Sequence, residues 1–73
     1  MKEAGQRIVV NRVKTAFPHP KQFTIRQAIN RLVESGLTWT PEPHCLQHIF
    51  IQHEDEIRPI PQKGRRYLYQ VVA

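Results

Sequence analysis

Ile25, Ala28, Ile29, Leu32 and Val33 recur at the spacing that lays apolar side chains along one face of an α-helix. Thr24 stands before this stripe and Gln27 three residues later, the spacing of a capping box. There the hydroxyl takes an amide of the first turn and the glutamine returns to the cap's own amide. Phe23 and Ala28 occupy the positions of a hydrophobic staple, and Gly36 supplies a residue that tolerates the left-handed conformation at a helix end. The pattern predicts a helix over 25–35. Upstream, Val9, Val13, Ala16 and Phe17 share a helical face, although the run Ile8-Val9-Val10 also fits a strand. Arg7, Asn11, Arg12 and Lys14 fall on the other side, which favours a helix over 5–17. Pro18-His19-Pro20 ends it, because a proline disfavours helical geometry in the residue before it.

The third segment reads two ways. Thr40 suits an N-cap, Pro41 the first helical position and Glu42 the positive end of the helix dipole. Cys45, Leu46, Ile49, Phe50 and His53 follow at helical spacing, which puts Cys45 in the core and makes Trp39 a staple residue ahead of the cap. Against this, Ile49-Phe50-Ile51 has strand propensity, and the acids at 54–56 oppose the negative end of a helix. A helix over 41–53 is preferred. The chain then turns extended, since Pro59 and Pro61 forbid a helix and suit only an edge strand. Gln62-Lys63-Gly64-Arg65 is a turn. Residues 66–72 alternate, with Tyr67, Tyr69 and Val71 facing one way and Leu68, Gln70 and Val72 the other. The expected fold is α+β: one small three-helix domain with a C-terminal β-hairpin, spanning 1–73.

Seventy-three residues bury only about 60% of the unfolded surface, which leaves little room for an enclosed catalytic pocket. No catalytic constellation is visible, and the chain is read as a binding module rather than an enzyme. Cys45 is the only cysteine, so no intrachain disulfide forms, and a reduced cytoplasmic protein is expected. No leader and no membrane span is legible. His44 and His48 have helical chelating spacing beside Cys45, His53 and Glu54, but no Cys-x-x-Cys pair completes a zinc set. Neither metal nor cofactor is expected.

Charge narrows the partner. Eleven Lys and Arg against six Asp and Glu give a formal net charge of +5. Such an excess attracts polyanions, because neutralising phosphates releases condensed counterions. Lys2, Arg7, Arg12, Lys14, Lys21, Arg26 and Arg31 face only Glu3 in the first 31 residues. Residues 32–57 carry no Lys or Arg but hold Glu34, Glu42, Glu54, Asp55 and Glu56, and cations return at Arg58, Lys63, Arg65 and Arg66. This basic–acidic–basic layout suggests one face for phosphates and another turned away from them.

Three helices followed by a hairpin resemble a winged helix-turn-helix domain. Phe23-Thr24-Ile25-Arg26-Gln27-Ala28 looks like the start of its second helix, Thr38-Trp39-Thr40-Pro41 like its turn, residues 41–53 like its recognition helix and 57–72 like its wing. The resemblance implies a DNA-binding transcriptional regulator or accessory factor, dimeric on a two-fold site. Double-stranded DNA is the expected partner and RNA the second. Two assignments of the reading helix stand open. In one, Gln47 and His48 contact bases, although that helix has no Lys or Arg. In the other, Arg26, Gln27, Asn30 and Arg31 read bases from the polar face of 25–35, and residues 46–52 form the first wing strand. In both, Lys63, Arg65 and Arg66 hold the backbone. Tyr67 and Tyr69 either stack on unpaired bases or pack in the core. The rival function is a protein-interaction module or homodimeric adaptor, docking through Ile49-Phe50-Ile51 and the acids at 54–56.

Overall fold

A computed structural model describes the backbone of residues 3–64 and 66–72, and their side chains from residue 5 onward. The elements run α1 (Glu3–Ala16), β1 (Gln22–Phe23), α2 (Ile25–Glu34), α3 (Pro43–Gln52), β2 (Ile57–Pro61) and β3 (Tyr67–Val71). The fold is α+β, with three helices against a three-stranded antiparallel sheet of order β1-β3-β2.

α2 forms for the reasons its sequence states. The Thr24 hydroxyl accepts from the Gln27 amide at 3.1 Å, and the Thr24 amide donates to Gln27 Oε1 at 2.9 Å. At the other end Gly36 takes φ +82°; its amide donates to the Val33 carbonyl, and Leu37 N–H donates to the Leu32 carbonyl. These are the two bonds of a Schellman ending.

α3 starts two residues later than expected. Its N-cap is Glu42 and its first-turn proline is Pro43, so Thr40 and Pro41 lie outside the helix. Pro41 is buried in the approach to α3, whereas Trp39 is 39% exposed. Leu46, Ile49 and Phe50 are buried, but Cys45 is exposed, which corrects its assignment to the core. At 3.6 residues per turn Cys45 lies roughly 90° from the axis of that buried trio, too far round to follow it inward.

The short strand β1 is not signalled by any alternating run. It pairs Gln22 with Gln70 and Phe23 with Tyr69, and so ties the hairpin back to the start of α2. Phe23 is fully buried at the meeting point of the elements. Its ring stacks on Phe17 with centroids 4.4 Å apart, meets Phe50 edge-on at 6.0 Å and lies 6.2 Å from Tyr69.

Both sheet edges are poor templates for a further strand. The bonds Gln62 N–H to Arg66 O and Val72 N–H to Glu56 O set the even-numbered residues of β2 towards β3, given the register Arg58↔Gln70. The odd-numbered positions therefore face outward. Pro59 and Pro61 have no N–H to offer there, and Ile57 N–H already donates to the His53 carbonyl. At the opposite edge β1 is two residues long.

Two substitutions test this framework by thermal and urea denaturation. Thr24→Ala removes one half of the capping box and should cost about 1 kcal/mol, lowering the thermal midpoint by roughly 4–8 °C. Thr24→Ser should leave the midpoint nearly unchanged. Phe23→Ala should cost about 3–5 kcal/mol, a large share of the roughly 4–11 kcal/mol that a domain of this size commands.

Candidate nucleic-acid interface

The sequence offers two sets of base-contacting candidates, and the fold separates the members of each. On α2 the Gln27 side chain is engaged in the capping box. The Arg31 guanidinium lies 6.0 Å from the Phe17 ring centroid and 3.6 Å from Glu34. Arg26 and Asn30 face elsewhere, into an open groove shared with Glu42 and Gln47 of the α3 N-terminal region. Of the four side chains of the α2 polar face, Gln27 and Arg31 are thus engaged locally, and Arg26 and Asn30 line the groove.

On α3, Gln47 and His48 stand on different flanks. Gln47 looks towards the hairpin and the start of α2. His48 lies with His44, Cys45 and Gln6 in a hollow beside α1, where it takes an amide hydrogen bond from Gln52 at 3.1 Å. Among the described residues, no three His, Cys, Asp or Glu side chains are grouped to hold a metal ion.

What the fold does bring together is Arg26, Gln47, Arg66 and Tyr67, which line one shallow hollow with Thr24, Ile25 and Tyr69. Three elements supply them: the first turn of α2, the middle of α3 and the start of β3. The sequence names Arg26 and Gln47 as alternative base contacts and Arg66 as a backbone contact, and its periodicity carries no signal for their meeting. It also put Tyr67 on the same strand face as Tyr69 and Val71. Tyr69 and Val71 are each 5% exposed, but Tyr67 is 48% exposed. Lys63 and Gly64 lie at the hairpin tip, exposed, with Gly64 at φ +77°. Arg65 lies outside the described residues.

Charge is sorted as well as shape. Glu56 accepts a bidentate pair from Arg7, both bonds 2.8 Å, and a third bond from Lys14 at 3.1 Å. The His53 ring approaches the same carboxylate at 3.6 Å. The acidic turn after α3 is thus bound to the cations of α1. Arg12 donates to the Ser35 carbonyl and hydroxyl at 2.9 and 2.8 Å, tying α1 to the end of α2. By contrast Lys21, Arg26, Arg58, Lys63 and Arg66 make no ion pair among the described residues. From Glu56 to Gln62 the chain runs along β2, so acids and hairpin tip stand on the order of 20 Å apart. One acid remains near the hollow: Glu42, 3.5 Å from His44 and exposed.

The surface proposed for protein docking is also divided. Ile49 and Phe50 are core residues at 2% and 0% exposure, and only Ile51, at 63%, faces solvent. Among the described residues no helix is long and apolar enough to cross a membrane. No protein-family model, curated protein or solved structure matches the chain.

Arg7, then Lys14, hydrogen-bond the Glu56 carboxyl and hold it down at about 2, against an ordinary 4.5. A carboxyl depressed in the folded state adds stability above its unfolded pKa, and that stability is lost as pH falls through the folded one. The urea midpoint should therefore drop between about pH 5 and pH 2, and Glu56→Gln should flatten that part of the profile. At neutral pH the substitution should cost on the order of 1 kcal/mol, because Arg7 and Lys14 are each more than a third exposed and the pairs are screened.

Proposed function

We propose that the chain is a winged helix-turn-helix domain that binds nucleic acid, with duplex DNA as its general partner and transcriptional control or an accessory role on DNA as its use. The observation that carries this reading is the meeting of Arg26, Gln47 and Arg66 in one hollow between α2, α3 and the hairpin. Cations flank a group that can hydrogen-bond a base edge, the division of labour by which phosphate contacts position a protein and base contacts specify its site. The element order helix–strand–helix–helix–strand–strand, with β1 paired to β3, supports the winged-helix assignment. The helical state of Pro43–Gln52 favours α3 over α2 as the reading helix. In this arrangement Gln47 reads, Arg26 holds backbone from the first turn of α2, and Lys63, Arg65 and Arg66 hold it from the wing.

The burial of Ile49 and Phe50 weighs against the docking-module reading, since it leaves Ile51 as that patch's one exposed member. If the protein dimerises on a two-fold site, the proline-blocked β2 edge directs the contact to helix surfaces rather than to strand addition. The cytoplasmic setting belongs to the same proposal.

Fluorescence anisotropy on a mixed-sequence duplex across a salt series tests it. Log affinity should fall linearly with log salt. The pair Lys63→Ala and Arg66→Ala should weaken binding to all sequences and reduce the slope by about 2. Gln47→Ala should leave the slope alone and reduce discrimination between sequences. Absence of binding at low salt, or a slope the double variant does not move, would overturn the assignment.

A further inference from the structure

We infer that the cleft between α3 and the hairpin receives one unstacked nucleobase, so that the domain prefers single-stranded or locally opened nucleic acid over closed duplex at this point. The inference rests on the nucleic-acid reading above and adds to it the form of the ligand.

Tyr67 is the starting observation. It is the one member of the Tyr67-Tyr69-Val71 face left outside the core, with nearly half of its surface in solvent. Its ring forms one side of an open cleft of ≈ 260 Å³. The other walls include Pro59 and the strongly exposed Ile51, with Gln47 as the polar group. Those walls are mostly apolar, the surroundings a π-face seeks, and the amide of Gln47 can both donate to and accept from a base edge. The adjoining hollow contains the same Gln47 and Tyr67 together with Arg26 and Arg66. Neither arginine makes an ion pair among the described residues, so both are available to the phosphates on either side of a base seated in the cleft.

Closed duplex can meet the Gln47 amide and the arginines but not the face of Tyr67, because its bases are stacked and present only their edges in the grooves. An unstacked base offers a face to an aromatic ring, and such stacking tolerates any base. A peptide partner is disfavoured by the charge at the cleft's mouth, which is cationic and suits phosphate.

The test measures anisotropy of the full chain with three probes: a short mixed-sequence single strand, the same sequence as a duplex, and the same strand with abasic sites. The wild-type chain should bind the single strand more tightly than either of the others. Tyr67→Ala should weaken the single strand about tenfold and leave the duplex and abasic strand unchanged, while Tyr67→Phe should keep the wild-type pattern. The single strand should quench tyrosine fluorescence more in the wild-type chain than in Tyr67→Phe, and the abasic strand should quench the two equally. Thermal midpoints of the variants, expected near wild type because the ring is outside the core, separate loss of contact from loss of fold. Duplex binding with no single-strand preference, or a Tyr67→Ala loss equal on all three probes, overturns the base cleft and leaves the nucleic-acid reading standing. Failure of every probe to bind at low salt overturns both.

Discussion

The packing of Phe23 holds the two halves of this molecule together. Its ring bridges Phe17 at the end of α1, Phe50 on α3 and Tyr69 on β3, and Phe50 and Tyr69 meet each other at 4.9 Å. The residue belongs to a strand of two, whose ladder alone would not fix a sheet. What fixes it is a full aromatic side chain removed from water, about 1.5–3 kcal/mol of transfer free energy with aromatic contacts in addition. One residue further on, Thr24 caps α2. The anchor of the sheet and the start of the second helix are therefore one continuous piece of chain, and Arg26 is set beside the hairpin by that continuity.

The same economy of elements sorts the charge. Glu56 follows α3 by only a few residues, and the chain reversal there brings it under α1, where Arg7 and Lys14 surround its carboxylate. That carboxylate ties α1 to the turn after α3. The hairpin then carries the chain away from that turn, so Lys63 and Arg66 keep their charge unneutralised by Glu54, Asp55 and Glu56. On the proposed nucleic-acid reading, field lines from such a separated pair of patches would orient an approaching polyanion before contact. Glu42 is the local exception, and its exposure lets solvent screen it.

Closed edges and an open cleft belong to one design. Pro59 blocks strand addition through its missing N–H and also forms a wall of the cleft beside Tyr67. Small all-purpose surfaces of this kind risk sticking to copies of themselves through free strands. Among the described residues, β2 offers no N–H at Pro59 or Pro61 for such pairing, and that of Ile57 is taken by His53.

Much of this fold was legible in the residues because local forces decide it. Thr24 with Gln27, Gly36 after Leu32-Val33, and the prolines at 59 and 61 act within a few positions, so their effects survive without knowledge of the rest. The third helix was legible in kind but not in phase. Whether Thr40 or Glu42 caps it, and whether Cys45 turns in or out, depends on how Leu46, Ile49 and Phe50 meet α1, α2 and the sheet. The strand at Gln22–Phe23 had no periodic signal, because its pairing partner lies 46 to 48 residues away. The candidate interface was the least legible part. Arg26, Gln47 and Arg66 could each be named from chemistry, but alternation along one strand could not tell the exposed Tyr67 from the buried Tyr69. The second helix, the turn residues and the excess of cations follow from propensity, capping and charge, which are properties of neighbours along the chain. Which of the described cations stay out of ion pairs and which ring stays in solvent depend instead on surfaces contributed by segments far apart in sequence, and so emerge with the packed fold.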